Sequence, residues 1–276
     1  MGVADRLRDS LATLWRGPKG VIGAPGADSV DPVTKLIDGV PPLELARNLY
    51  GRYPAFWGRY FPARGPAEYD RAESALLAAA AVRVLPIARP KERVLTGEAK
   101  GAEHARGNLD RFFEAFAADE LAASRQHVLF MFLDVEHGYT FDKAYYHGWS
   151  RELRTYSRSE SNGKVTVLPC MYSSKAAVHW ETLSSAIAEG AQCCGAWVAR
   201  YLHSDCVCTP VPEWDSKRID VPAPVPVLAW QYEQGCHSHR SAKGMCIGGF
   251  DNNAVNPTLE QRLLDHLVAP AEPLVA

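Results

Sequence analysis

The segment His127-Val-Leu-Phe-Met-Phe-Leu-Asp-Val-Glu136 is an apolar run of strand length that ends in two carboxylates two positions apart. Side chains alternate across a strand, so Val128, Phe130, Phe132, Asp134 and Glu136 share one side, and Leu129, Met131, Leu133 and Val135 the other. Both sides are apolar until the end. A strand buried on both faces belongs to a parallel sheet covered by helices, and the carboxyl ends of such strands are where these folds place their active sites. Asp134 and Glu136 stand roughly 6–7 Å apart along the backbone, a span over which two carboxyl groups can bracket one scissile bond. The competing reading is a pair of solvated strand-end acids. Charges on an inward strand face are seldom without a task, which favours acid/base chemistry.

Working outward, apolar β-rich runs recur at 21–27, 56–61, 82–88, 128–135, 165–172, 195–201, 225–232 and 247–251. Helical periodicity fills the intervals at 42–52, 67–81, 102–118, 141–156 and 175–189, and returns at 258–268 after the last run. Eight runs alternating with helices predict an α/β fold, a (β/α)8 TIM-type barrel. The prolines of Thr209-Pro-Val-Pro-Glu213 and Val221-Pro-Ala-Pro-Val-Pro226 exclude regular helix there, so the late crossovers are expected to be irregular. An open doubly wound sheet is the alternative. The expected organisation is an N-terminal extension over 1–19, one barrel over 20–268 and a C-terminal tail over 269–276.

With 276 residues, 47% hydrophobic and 22% charged, the chain is long enough to bury a substantial core. The formal net charge of -2 provides no basic footprint for nucleic acid and no polybasic membrane anchor. No segment has the length and apolarity of a membrane span. The opening residues alternate charge with apolar side chains and lack the uninterrupted apolar stretch of a secretory signal, so action on a cell wall is expected to involve either a non-classical export route or a chain already in its mature form. Of the seven cysteines, Cys170, Cys193 and Cys194 fall in or at predicted strands and read as buried thiols. Cys206, Cys208, Cys236 and Cys246 gather in late loops, with His239 beside them, and permit disulfides, free thiols or a zinc site.

In a barrel the carboxyl ends of the runs converge on one mouth. They carry Asp28, Arg59 and Tyr60, Asp134 and Glu136, Tyr172, Arg200, Trp230-Gln231-Tyr232 and Asp251. Four carboxylates, two arginines and a ring of aromatic side chains suit a carbohydrate: aromatic faces stack on a pyranose while charged and amide groups bond its hydroxyls. The competing reading makes each aromatic core, and pairs Asp28 and Asp251 with Arg59 or Arg200 as buried ion pairs.

Taken in order, Asp28, Asp134-Val-Glu136, Trp230-Gln231-Tyr232 and Phe250-Asp-Asn-Asn253 resemble the family 25 glycoside hydrolases, the barrel lysozymes that cleave peptidoglycan. Gly58-Arg59-Tyr60, followed by a helix and Val84-Leu-Pro-Ile87, is similar to the glycoside-hydrolase-like barrel known as domain of unknown function 1906. The resemblance spans residues 20 to 268 and leaves out the cysteine-rich loops. It implies Glu136 as general acid and Asp134 as the anion that stabilises an oxocarbenium-like transition state or orients an acetamido group, with Asp28 and Asp251 completing an acidic floor. Burial beside Phe132 and Tyr172 and the charge of Asp134 are expected to keep Glu136 protonated near neutral pH.

The resulting expectation is a muramidase-like hydrolase of β-linked amino sugars whose partner is peptidoglycan or a related polymer, working without a cofactor. Arg59, Tyr60, Tyr172, Arg200, Trp230, Gln231 and Tyr232 are the expected substrate contacts. A carbohydrate-binding or inactive barrel is the second reading. A metal-dependent hydrolase using the carboxylates or the Cys/His loop set is the third.

Overall fold

In the computed structural model the described residues are 20–175, 178–204, 206–240 and 246–270. All of the expected N-terminal extension and all but two residues of the expected tail lie outside them. Eight strands close into a barrel: β1 (Pro25–Asp28), β2 (Phe56–Pro62), β3 (Arg83–Arg89), β4 (Val128–Val135), β5 (Thr166–Ser174), β6 (Ala196–Ala199), β7 (Val227–Cys236) and β8 (Phe250–Val255). Neighbouring strands from β1 through β7 pair in parallel. Helices α1 (Pro42–Tyr50), α2 (Arg71–Ala79), α3 (Glu98–Ala115) with α4 (Ala118–Ala123), α5 (Lys143–Glu160) and α6 (His179–Ala188) make the first five crossovers, and α7 (Glu260–Leu264) follows β8. The sixth crossover, between β6 and β7, has no helix among its described residues, as its prolines require.

The alternation of β4 divides the protein into two cores. Phe130 and Phe132 point into the barrel, where they meet Phe56, Leu85, Ile87, Cys170, Tyr172 and Trp197. Leu129, Met131, Leu133 and Val135 point out and pack beneath the helices with Leu109, Phe112, Trp149 and Leu153.

The last strand departs from the expected all-parallel barrel. β8 runs antiparallel to both β7 and β1. A parallel entry needs a crossover of a dozen or more residues, usually helical, that carries the chain to the far end of the sheet. The segment after β7 instead carries a small two-stranded ladder between His239–Arg240 and Cys246–Ile247, which keeps the chain at the same end. The expected eighth run, 247–251, is therefore displaced: Asp251 stands near the start of β8, and reaches the mouth because the strand is reversed. The chain leaves β8 at the opposite end, where Leu263 and Leu267 plug the barrel and His266 stacks on Phe130 with ring centroids 4.4 Å apart.

Two disulfides tie the late loops together, Cys206–Cys246 and Cys208–Cys236. Each closes a loop of 40 or 28 residues, for which the chain-entropy model gives about 3–4 kcal/mol of stabilisation. Cys170, Cys193 and Cys194 are free.

Arg59 fixes β2 to the helical layer. Its Nε lies 2.8 Å from Glu73 Oε2 with both side chains fully buried, and its terminal nitrogens donate to the carbonyls of Ser29 (2.5 Å) and Glu68 (2.6 Å). Glu73 also accepts from Val33 N (3.0 Å) and forms a capping box with Asp70 at the start of α2. Breaking such a pair leaves an uncompensated buried charge. Glu73→Ala is expected to lower the free energy of unfolding by about 3–5 kcal/mol in urea denaturation at neutral pH. Arg59→Met combined with Glu73→Leu should recover part of that loss, and a cost below about 1 kcal/mol for the single variant would remove the pair from this role. Thiol titration in denaturant without reductant should find the three free cysteines and, after reduction, all seven. Seven thiols before reduction would contradict the pairing.

Candidate active site

Asp134 and Glu136 continue the inward register of Phe130 and Phe132 at the mouth end of β4. Asp134 is paired in register with Tyr172 of β5, is 4% exposed, and its Oδ1 has no hydrogen-bond partner. Glu136, just beyond the strand, is open to solvent. Burial pushes the Asp134 carboxyl well above the usual range, the charge of Glu136 adds to this, and the Arg89 guanidinium opposes it. Partial burial raises the Glu136 carboxyl in the same direction, against Arg89 and His137. Strongly interacting carboxyl groups titrate as a pair, and this pair keeps a proton above the ordinary carboxylate range.

Arg89 was absent from the sequence-derived set, although parity points to it. Leu85 and Ile87 face the barrel interior, so Arg89, two positions on at the end of β3, faces the mouth. Its guanidinium lies 5.3 Å from the centroid of the Tyr60 ring and 3.4 Å from Glu68.

Across the mouth, β1 and β8 bring together the second acid pair, with Asp28 opposite Asp251 in the antiparallel register. Asp28 is 1% exposed, and its Oδ1 accepts from Gln231 Nε2 (3.1 Å) and Asn253 Nδ2 (2.8 Å). Asp251 accepts from Gly235 N (2.7 Å) and from the same Gln231 Nε2 (2.9 Å). Burial holds the Asp28 carboxyl well above its ordinary value, with the charge of Asp251 adding to it. Burial likewise pushes Asp251 up to about 7 despite the Gly235 hydrogen bond. Gly58, beside Asp28 on β2, makes this placement possible: a Cβ there would stand 2.6 Å from Asp28 Cβ. Trp197 Nε1 holds Asn253 Oδ1 at 2.8 Å, and Tyr172 and Tyr201 donate to Gln231 Oε1 at 2.6 and 3.2 Å. Asn253, part of the Phe250-Asp-Asn-Asn253 motif, and Tyr201 had no expected role in the site, and Trp197 is a further residue that the sequence reading did not single out.

Several expected substrate contacts lie elsewhere. Arg59 takes the outward register between Gly58 and Tyr60 and is fully buried against Glu73, so neither a ligand nor Asp28 is its partner. Trp230 and Tyr232 flank the inward Gln231 and therefore point out of the barrel; Trp230 packs on Trp214 and donates to Arg200 O, and Tyr232 donates to Thr209 O. Arg200 follows the outward register of Val198 and is exposed near Lys175. Gln231 is at the mouth but has every hydrogen-bonding position of its amide occupied by protein. Tyr60 and Tyr172 remain on the inner side as expected.

A cavity of about 450 Å³ opens over the Asp28/Asp251 half of the mouth. Asp28, Tyr60 and Asp251 form one part of its lining, and Gly235, Cys246 and Gly249 belong to the disulfide-tied segment that walls it. Among the described residues, the one trio of potential metal-ligand atoms within 4.8 Å of one another is Cys208, Cys236 and His237. Its two sulfurs are bonded to each other, so the zinc reading loses two thiolate ligands. The side chain of His239 lies outside the described residues.

No protein-family model matches the chain, and no curated protein does. Among solved structures, the chain is similar to an uncharacterized protein of B. stearothermophilus, at 23% identity over 89% of this chain and 100% of that one, with a TM-score of 0.62. It is similar to the catalytic domain of endolysin ply40 from bacteriophage P40 of Listeria monocytogenes, at 11% identity over 88% and 98% of the two chains, with a TM-score of 0.52. It is also similar to the Clostridium perfringens spore cortex lytic enzyme SleM, at 14% identity over 89% and 71%, with a TM-score of 0.51. At these identities the likeness is one of fold.

Proposed function

We propose that the protein is a glycoside hydrolase acting on β-linked amino sugars, with peptidoglycan glycan strands as substrate. The observation that carries this reading is the Asp134/Glu136 pair on the inner face at the mouth end of β4, where burial retains a proton above the ordinary carboxylate range. The fold shared with an endolysin catalytic domain and a spore cortex lytic enzyme supports the substrate class.

In this mechanism the proton of the pair is delivered through Glu136, its solvent-open member, to the glycosidic oxygen as the bond to the anomeric carbon breaks. Asp134 is then the anion beneath the sugar and stabilises the positive charge developing at that carbon, or orients the acetamido group if that group takes part. Water completes the hydrolysis. Arg89, close enough to lower the pKa of both acids, limits how tightly the pair holds its proton.

Purified peptidoglycan digested with the wild type should yield new reducing ends, followed by mass spectrometry. Glu136→Gln keeps shape but removes the transferable proton and should lower turnover by roughly 10²- to 10⁴-fold with binding retained. Asp134→Asn should lose a comparable factor, and the two losses should not multiply because both residues serve one transition state. Full activity in Glu136→Gln would remove the residue from the acid role. Wall binding by the wild type without reducing ends would assign a carbohydrate-binding barrel instead.

The pH dependence follows from the direction of the shifts. The productive form carries the proton, so kcat/KM should fall as pH rises through the pair's upper pKa. Because burial raises that value, the fall should come well above pH 4–5, the range of an ordinary carboxylate. A fall centred at pH 4–5 would contradict the retained proton.

A further inference from the structure

The carboxamide of Gln231 has four hydrogen-bonding positions, and protein fills all of them. Oε1 accepts from the hydroxyls of Tyr172 (2.6 Å) and Tyr201 (3.2 Å), while Nε2 donates to Asp28 Oδ1 (3.1 Å) and Asp251 Oδ2 (2.9 Å). The surroundings decide which end is oxygen. Turned over, the amide oxygen would confront two carboxyl groups, and each would need a proton to meet it.

The donors reach the two acids unequally. Asp251 receives one N–H on each oxygen, from Gly235 on Oδ1 and from Gln231 on Oδ2, and it is only partly buried. Asp28 is 1% exposed, and both of its donors, Gln231 and Asn253, converge on Oδ1. Its Oδ2 takes no hydrogen bond that the described residues supply, and Asp28 lines the cleft. An anion on Asp251 is therefore compensated at both oxygens, whereas an anion on Asp28 has both donors on one oxygen and leaves the other to the cleft.

We propose that Gln231 is a positioning residue that holds Asp251 as the anion of this pair and leaves a single proton on Oδ2 of Asp28, so that the cleft floor offers an acid O–H to an acceptor oxygen of the ligand. The groups that face the pair reinforce this. Tyr60 from β2, Asp134 and Glu136 from β4, Tyr172 from β5, Tyr201 beyond β6 and Tyr50 from α1 are neutral or anionic near neutral pH, and a second anion beside them is disfavoured. The direction of the carboxyl shifts agrees: burial raises both, and Asp28 is the more deeply buried. Gln231 touches no ligand in this scheme. Its effect passes through Asp28 and Asp251, and the identity of the ligand as an amino sugar rests on the reading above.

The test needs no turnover, so the two proposals fail separately. Carboxyl carbons of aspartate-labelled protein are followed by ¹³C NMR across pH, with Asp28→Asn and Asp251→Asn assigning the two resonances. In the wild type Asp251 should titrate near pH 7 while Asp28 stays protonated beyond it. Gln231→Leu removes the shared donor, and the Asp251 midpoint should move up by about one pH unit, a tenfold weaker acid. Tyr172→Phe keeps the amide but removes the shorter of its two hydroxyl anchors, so it should give a smaller shift in the same direction and serves if Gln231→Leu does not fold. A residue with a merely structural task would lower the melting temperature and leave the midpoints in place. Asp28 titrating below Asp251 in the wild type, or an unmoved Asp251 midpoint in the folded variants, would overturn the proposal.

Discussion

Inside a closed barrel a strand residue has two directions available, toward the axis or toward the helices, and its neighbours fix which one it takes. That parity organises this protein. On β4 it sends Phe130, Phe132 and Asp134 inward and Leu133 and Val135 outward. On β2 it separates Tyr60, at the mouth, from Arg59, one residue earlier and committed to Glu73 in the helical layer. On β7 it places Gln231 among the acids and turns Trp230 and Tyr232 away from them. Adjacent residues therefore serve different cores, and a motif of three consecutive residues divides into a site residue and two packing residues.

How much could be read from the chain alone follows from the same rule. The runs and most helical intervals were legible because burial imposes periods of two and 3.6 on composition. The acids were legible because a carboxylate that ends an apolar run contradicts its surroundings. A strand end taken as a block puts Arg59, Trp230 and Tyr232 at the mouth, and only splitting the block by parity moves them to the helical side. Applied to Leu85 and Ile87, that split also finds Arg89. The reversal of β8 was not legible, since a short apolar run looks the same in either direction. The disulfide pairing was beyond reach too, because it depends on which loops meet over the mouth.

Four carboxyl groups gathered at one mouth cannot all be anions without large cost, and the two pairs meet that constraint differently. Asp134 and Glu136 lean on a cation, Arg89, at the rim. Asp28 and Asp251 lean on neutral amide donors from Gln231, Asn253 and the Gly235 backbone. A guanidinium can swing away with a side chain; amides embedded in strands cannot. The first pair is thereby suited to proton movement and the second to holding a fixed proton arrangement while a ligand arrives.

The reversed last strand has a consequence for how such a barrel can diversify. Because β8 enters at the mouth and leaves at the opposite end, the described residues between β7 and β8 belong to the rim. Its ends are held by an antiparallel ladder and by two disulfides, so its length and sequence can change without moving Asp251 or the strands behind it. The rim of the cleft is in effect an exchangeable cassette seated on a fixed acid framework. The segment after β8 lacks that freedom, since Leu263, His266 and Leu267 seal the barrel floor.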